Sequence, residues 1–327
     1  DPEEIKSATV STSGPVVLTF NVPLNAVLNM DLGARFRIGT VVNEVNTPTG
    51  PAINGEVEDC MVSVMGFDYG DLPDSGPGTG AGLPVANYAT SDANAPSHKI
   101  TTDGSGNPIL KMGASVDAES IGQPDNTATG DDSASDDENG IASFPQFIPT
   151  QSANVSVNVM NSGAAATLYG FIDWNKDGDF GDTNEAATAA VGAGFMGNVT
   201  VTFNVPATAV AAMDLGARFR ISTQGGLGAT GAAPDGEIED YMVRVADLDF
   251  GDLADAAPGT GPGNYETTIA SGGAYHLVIT GLKIGSTVDG EADGQPNGTA
   301  TGDGADEDGF NPALPANMLV AGQTTTV

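Results

Sequence analysis

One nonapeptide occurs twice in this chain. Met30-Asp31-Leu32-Gly33-Ala34-Arg35-Phe36-Arg37-Ile38 returns unchanged as Met213 to Ile221. Gly55-Glu56-Val57-Glu58-Asp59-Cys60 returns as Gly236-Glu237-Ile238-Glu239-Asp240-Tyr241, and Phe67-Asp68-Tyr69-Gly70-Asp71-Leu72 as Leu248-Asp249-Phe250-Gly251-Asp252-Leu253. Motifs recurring in order, about 180 residues apart, imply a tandem array of domain-sized units. Arrays bind, space or assemble more often than they catalyse. On this reading residues 1–66 are the C-terminal part of one unit. Residues 67–142 and 143–246 form a complete unit, and 247–327 begin another. Neither end contains a counterpart of Val157 to Gly181. Two expectations follow: the chain is a window on a longer protein, or copies assemble head to tail and complete each other by strand addition.

The local pattern is that of strands. Asn154 to Val159 alternates apolar and polar residues, as a half-buried strand does. Thr167–Ile172, Asn198–Val205 with its counterpart Val16–Val22, Ala217–Ile221 and Gly236–Val245 read the same way. A short helix is expected at Ala207–Met213. Gly 45 and Pro 20 add many turns. The fold class is therefore all-β: tandem β-sandwich domains (Ig-like or jelly-roll-like) joined by loop-rich acidic Gly/Asp segments. Those segments are not plain linkers, because ten of the sixteen positions from Asp117 match those from Asp289.

Charge narrows the function. There are 43 acidic and 10 basic residues, for a net charge of −33. This argues against nucleic-acid binding, which needs Lys and Arg, and against docking on anionic lipid. No apolar run is long enough for a transmembrane helix, so no membrane insertion is expected. The acids fall in blocks beside glycine, which suggests sites for hard cations.

The sharpest of these is Asp173-Trp174-Asn175-Lys176-Asp177-Gly178-Asp179-Phe180. Oxygen ligands at alternate positions followed by a turn-forming glycine wrap a loop around one calcium ion. Asp173, Asn175, Asp177 and Asp179 are the candidate ligands. Asn184 stands where a helix–loop–helix site has its bidentate Glu, but Glu185 can serve if the loop is one residue longer. A second calcium site is expected in the acidic block from Asp117, Glu119 and Asp131, repeated at Asp289, Glu291, Asp293 and Asp303. Like charges this dense repel unless a cation compensates.

Other residues read as structural. Arg218 and Arg220 share one strand face and Glu237 and Glu239 another, so cross-strand Arg–Glu pairs are expected, with Arg35, Arg37, Glu56 and Glu58 repeating them. Asp240 and Asp59 are left as possible ion ligands. His98 and His276 occupy equivalent places near a short strand. Trp174 is expected to pack beneath the loop, with a sugar-stacking face as the other option. Cys60 stands where the other copy has Tyr241, so it is no disulfide half. No nucleophile has a histidine partner nearby, and no phosphate loop precedes a helix. No enzymatic activity is expected.

The run Gly236 to Tyr241, with Asp173 to Gly178, resembles the GEVED domain. Asp249-Phe250-Gly251-Asp252-Leu253, Val288 to Gly294 and Asp306-Glu307-Asp308-Gly309 look like the segment that accompanies it. The resemblance implies a large secreted or surface-anchored bacterial protein, often with adhesion-type modules. The expectation is a non-enzymatic, calcium-stabilised extracellular stalk or filament subunit, whose partners are copies of itself and surface glycans or proteins. The alternative is a carbohydrate-binding accessory module of a secreted enzyme.

Overall fold

The computed structural model describes residues 4–23, 26–28, 30–76, 79–81, 85–91, 94–130, 139–302, 304 and 309. The expected ligands Asp131 and Asp303 lie outside the described residues, as do Asp306, Glu307 and Asp308. The described chain is nearly all β, in several sheets.

In chain order, a hairpin comes first: β1 (Leu32–Ile38), a single helical turn α1 (Val42–Val45) and β2 (Glu56–Val62). The acidic segment follows with β3 (Gly66–Tyr69), β4 (Ser97–Ile100) and β5 (Leu110–Met112). Next come β6 (Ser152–Asn161), β7 (Ala166–Ile172), β8 (Ala186–Val191), β9 (Met196–Asn204) and β10 (Leu215–Ser222). Short β11 (Ala232–Ala233) and β12 (Glu237–Val243) close this region. The second copy of the segment supplies β13 (Leu248–Phe250) and β14 (Tyr275–Leu277).

Two sheets make the sandwich, ordered β12-β10-β7-β8 and β5-β6-β9. In β6, Ala153, Val155, Val157, Val159 and Asn161 point inward while Ser152, Asn154, Ser156, Asn158 and Met160 stay exposed. Its partner β9 alternates likewise, and the register sets Val155 opposite Val201 and Ala153 opposite Phe203. The core gathers these valines with Leu168, Ile172, Phe203, Leu215, Phe219 and Trp174. The Trp174 ring meets Phe147 and Phe203 edge-on at centroid distances of 5.1 and 6.1 Å. It is 1% exposed, so it packs and offers no sugar-stacking face.

Three expectations are corrected. First, β10 does not alternate, since all eight of its residues are buried. Phe219 and Ile221 enter the sandwich core, and the acidic segment covers the arginine face. Second, Ala207–Met213 is a run of turns, not a helix; Val210 N–H donates to Trp174 O rather than into a helical turn. Third, Val16–Val22 forms no strand. Its counterpart β9 is held by β6, and among the described residues no strand pairs with Val16–Val22.

Among the described residues, the two copies of the acidic segment share their contacts. Glu119 N–H donates to Phe67 O and Glu291 N–H to Leu248 O. Glu119 Oε2 accepts from Tyr69 N–H, and Glu291 Oε2 from Phe250 N–H, each at 3.0 Å. Asp71 Oδ2 accepts from Gly130 N–H as Asp252 Oδ2 does from Gly302 N–H. The β3–β4 pair sets Asp68 opposite His98, and β13–β14 sets Asp249 opposite His276.

Candidate metal centre and the acidic strand

The loop between β7 and β8 is held by its own carboxylates. Asp173 Oδ1 accepts from Asp177 N–H at 3.2 Å, and Asn175 Oδ1 from the same N–H at 3.1 Å. Asp173 Oδ2 accepts from Gly178 N–H and from the Tyr88 hydroxyl, both at 2.9 Å. Glu185 reaches back from the far end, where Oε1 accepts from Trp174 N–H at 3.1 Å and Oε2 from Asp182 N–H at 2.9 Å. Lys176 and Asn184 adopt φ of 60° and 71°, a conformation uncommon outside glycine.

Burial pushes Asp173 above the usual carboxylate range, with the Asp177 charge adding to it. Burial likewise pushes Glu185 up to about 7, and Asp173 and Asp177 repel it further. Three acids thus feel one another across a loop rich in oxygen donors, the chemistry a hard divalent cation relieves. Asp179 is exposed, and its side chain accepts from Gly181 N–H. Among the described residues, no group of three His, Cys, Asp or Glu side chains is arranged as a formed metal centre.

In the acidic blocks, Glu119, Glu291 and Asp293 accept from backbone N–H groups. Glu119 and Glu291 clamp β3 and β13 as above, and Asp293 Oδ1 accepts from Ile269 and Gly294 N–H at 2.6 and 2.8 Å. Asp117 is partly buried just before Glu119, and Asp289 occupies the equivalent place before Glu291.

The metal-type loop lies under the acidic segment. At Gly178, φ is +93°, and a Cβ there would come within 2.5 Å of Asn87 O and Gly80 N. Phe180 stacks on Tyr88 at 5.4 Å, and the Tyr88 hydroxyl accepts from Gly216 N–H at 2.8 Å. Leu72, Ala86, Tyr88 and Ala128 form a second small core here, with Phe180 and Met242 against it. Sequence reasoning missed Tyr88, Gly80 and Asn87. The available signal was Asn87-Tyr88 recurring as Asn264-Tyr265 inside loops of unequal length.

The acidic strand β12 is the other half of the junction. The expected Arg–Glu ladder is corrected by the register, which sets Arg218 opposite Asp240 and Phe219 opposite Glu239. Arg218 and Asp240 form a bidentate pair with both side chains fully buried. Asp240 Oδ2 also accepts from Asp71 and Leu72 N–H at 2.9 and 3.0 Å, so it is a clamp on the segment rather than an ion ligand. Glu239 Oε1 accepts from Asn139 and Gly140 N–H at 3.0 and 2.7 Å, and Glu237 Oε2 from Met112 N–H. From the other side, Asp68 Oδ2 accepts from Ile238 N–H at 2.7 Å.

Arg220 donates through Nη1 and Nη2 to the carbonyls of Gly228, Thr230 and Gly231, and through Nε to His98 Nε2 at 2.9 Å. His98 Nε2 is therefore an acceptor, and Nδ1–H donates to Asp235 O at 2.7 Å. Burial holds this neutral imidazole well below its ordinary pKa, and Arg220 pushes it the same way. The same burial lowers Arg220 to about 10. A depressed histidine contributes stability that is whole above its unfolded pKa and lost as pH falls through that value. Between pH 6.5 and 5.5 the native protein should lose about 1 kcal/mol relative to His98→Gln, which keeps one acceptor and one donor. Urea unfolding of both proteins at the two pH values checks this; parallel curves would refute it.

The fold and this strand define the class: a β-sandwich whose acidic strand carries a docked, loop-rich segment. The GEVED domain family matches residues 167–244, from β7 through β12, and the chain contains a GEVED domain there. No curated protein and no solved structure matches the chain.

Proposed function

We propose that this chain is a non-enzymatic, extracellular structural or adhesive protein, a stalk or filament subunit stiffened by calcium. The observation that carries the reading is the position of the Asp173–Glu185 loop. It touches the sandwich core through Trp174 and the acidic segment through Tyr88. A cation held by Asp173, Asn175, Asp177 and Glu185 would lock the segment to the sandwich and remove their mutual repulsion. Bound calcium supplies charge neutralisation and a rigid oxygen cage, and no chemistry beyond that. The large acidic excess fits a surface that depends on divalent ions.

Glu185→Gln tests this with and without the ion. In chelator the variant should lie close to the wild type, because losing a buried, repelled carboxylate offsets the loss of the one of its two N–H bonds that an amide cannot accept. In calcium the wild type should gain about 2.7 kcal/mol at a hundredfold excess over Kd, and the variant much less. Calorimetric titration and thermal unfolding read both arms. A wild type indifferent to calcium and chelator would sink the calcium reading.

A further inference from the structure

We infer that the chain binds a second copy of itself head to tail, the 247–302 segment of one docking on the outer face of β1–β2 of the other. This rests on the proposed array function and names its contact. The template is inside the molecule, where residues 66–100 cover the outer face of β10–β12. Residues 247–302 repeat that segment, and β1–β2 repeats that hairpin.

The hairpin face is already set. Arg35 grips Asp59 through Nε and Nη2, both at 2.7 Å, as Arg218 grips Asp240. Arg37 donates to the carbonyls of Thr47, Thr49 and Gly50, as Arg220 does to Gly228, Thr230 and Gly231. Yet this face is open. Val57 and Met61 are 53% and 62% exposed, whereas their counterpart Ile238 is 2% exposed and Met242 packs on the second core.

The segment is equally open. Leu72 and Tyr88 are at most 1% exposed, but their counterparts Leu253 and Tyr265 are 48% and 46% exposed. His98 is fully buried against Arg220, and His276 is exposed.

Glycines sharpen the match. A Cβ on Gly216 would strike the Tyr88 ring, and one on Gly70 would strike the Asp240 carboxylate. Their counterparts Gly33 and Gly251 have nothing within 4 Å of such a Cβ. A glycine inside a strand weakens it unless something approaches closely. Docking supplies the approach: Tyr265 over Gly33, Asp59 against Gly251 and the N–H groups of Asp252 and Leu253, and His276 against Arg37. The contact is face to face rather than strand addition. It joins different surfaces, so it propagates from copy to copy, into an open line or a closed ring.

Gly33→Val and Gly251→Val each place a side chain in open space, so the monomer tolerates both. Sedimentation velocity of the full chain over a range of concentrations should show wild-type species growing beyond the dimer. Each variant alone should remain monomeric. An equimolar mixture should stop at the dimer, because each variant retains one competent face. A wild type that stays monomeric overturns the docking, as does a variant that associates like the wild type. Circular dichroism with the calcium response of each sample separates the two ideas. A wild type that stays monomeric yet gains stability from calcium rejects the docking alone, while wild-type assembly indifferent to calcium rejects the stiffening alone.

Discussion

Asp240→Ala should destabilise the central unit by about 3–5 kcal/mol, the cost of stranding a buried arginine. Both partners of the Arg218–Asp240 pair are fully buried, with hydrogen bonds of 2.7 Å. The substitution also abandons the Asp71 and Leu72 N–H groups, so the acidic segment should loosen before the sandwich melts. The molecule contains its own control. Arg35 and Asp59 make the same bidentate pair at the same register with side chains 45% and 57% exposed. Asp59→Ala should barely move the unfolding of the β1–β2 hairpin to which it belongs in the monomer, because solvent screens that pair. Chemical unfolding measures the difference, and limited proteolysis between residues 66 and 130 detects the early loosening. Equal effects at the two positions would show that burial is not what sets the strength of this clamp.

Trp174→Ala should cost about 3–5 kcal/mol, typical of removing a large buried aromatic. Trp174 fills the space between Phe147 and Phe203, and its indole N–H donates to Asn184 O at 3.0 Å. Its own N–H goes to Glu185 and its carbonyl receives Val210 N–H. One residue therefore ties both ends of the metal-type loop to the core. Trp174→Phe should recover most of the packing but not the bond to Asn184. The stability of the two variants should fall in the order phenylalanine above alanine. Under the proposed calcium site, affinity for the ion should fall in both, since both release the Asn184 end of the loop. Unchanged calcium affinity in the alanine variant would mean the loop sets its own shape.

The sandwich was legible wherever one face met water. In β6, polar and apolar residues alternate from Ser152 to Val159, and both the strand and its inward valines follow from that. β8 was missed because Ala-Ala-Thr-Ala-Ala-Val has small side chains on both faces and little contrast. The arginines of β10 suggested an exposed face, and a charged strand buried on both sides carries no period to read. The Arg–Glu ladder failed for a related reason. A one-residue change in register exchanges the faces of a strand, and the length of the Thr223–Gly236 loop does not fix that register. The hydrogen-bonding side chains within the Asp173–Glu185 loop were legible in type and order, because they are neighbours in sequence. Their partner Tyr88 was not, since the contact to Asp173 spans 85 positions of chain.

The acidic strand holds its segment almost wholly by peptide N–H groups: those of Asp71 and Leu72 for Asp240, Asn139 and Gly140 for Glu239, and Met112 for Glu237. Every residue except proline carries such a group. A joint of this kind gives its two sides unequal evolutionary freedom. The strand must keep its carboxylates, while the segment, Asp68 with its bond from Ile238 N–H excepted, can exchange side chains and change loop length and still fit. The unequal loops between Gly80 and Asn87 and between Gly261 and Asn264, closed by the same pair of backbone hydrogen bonds, are that freedom in use.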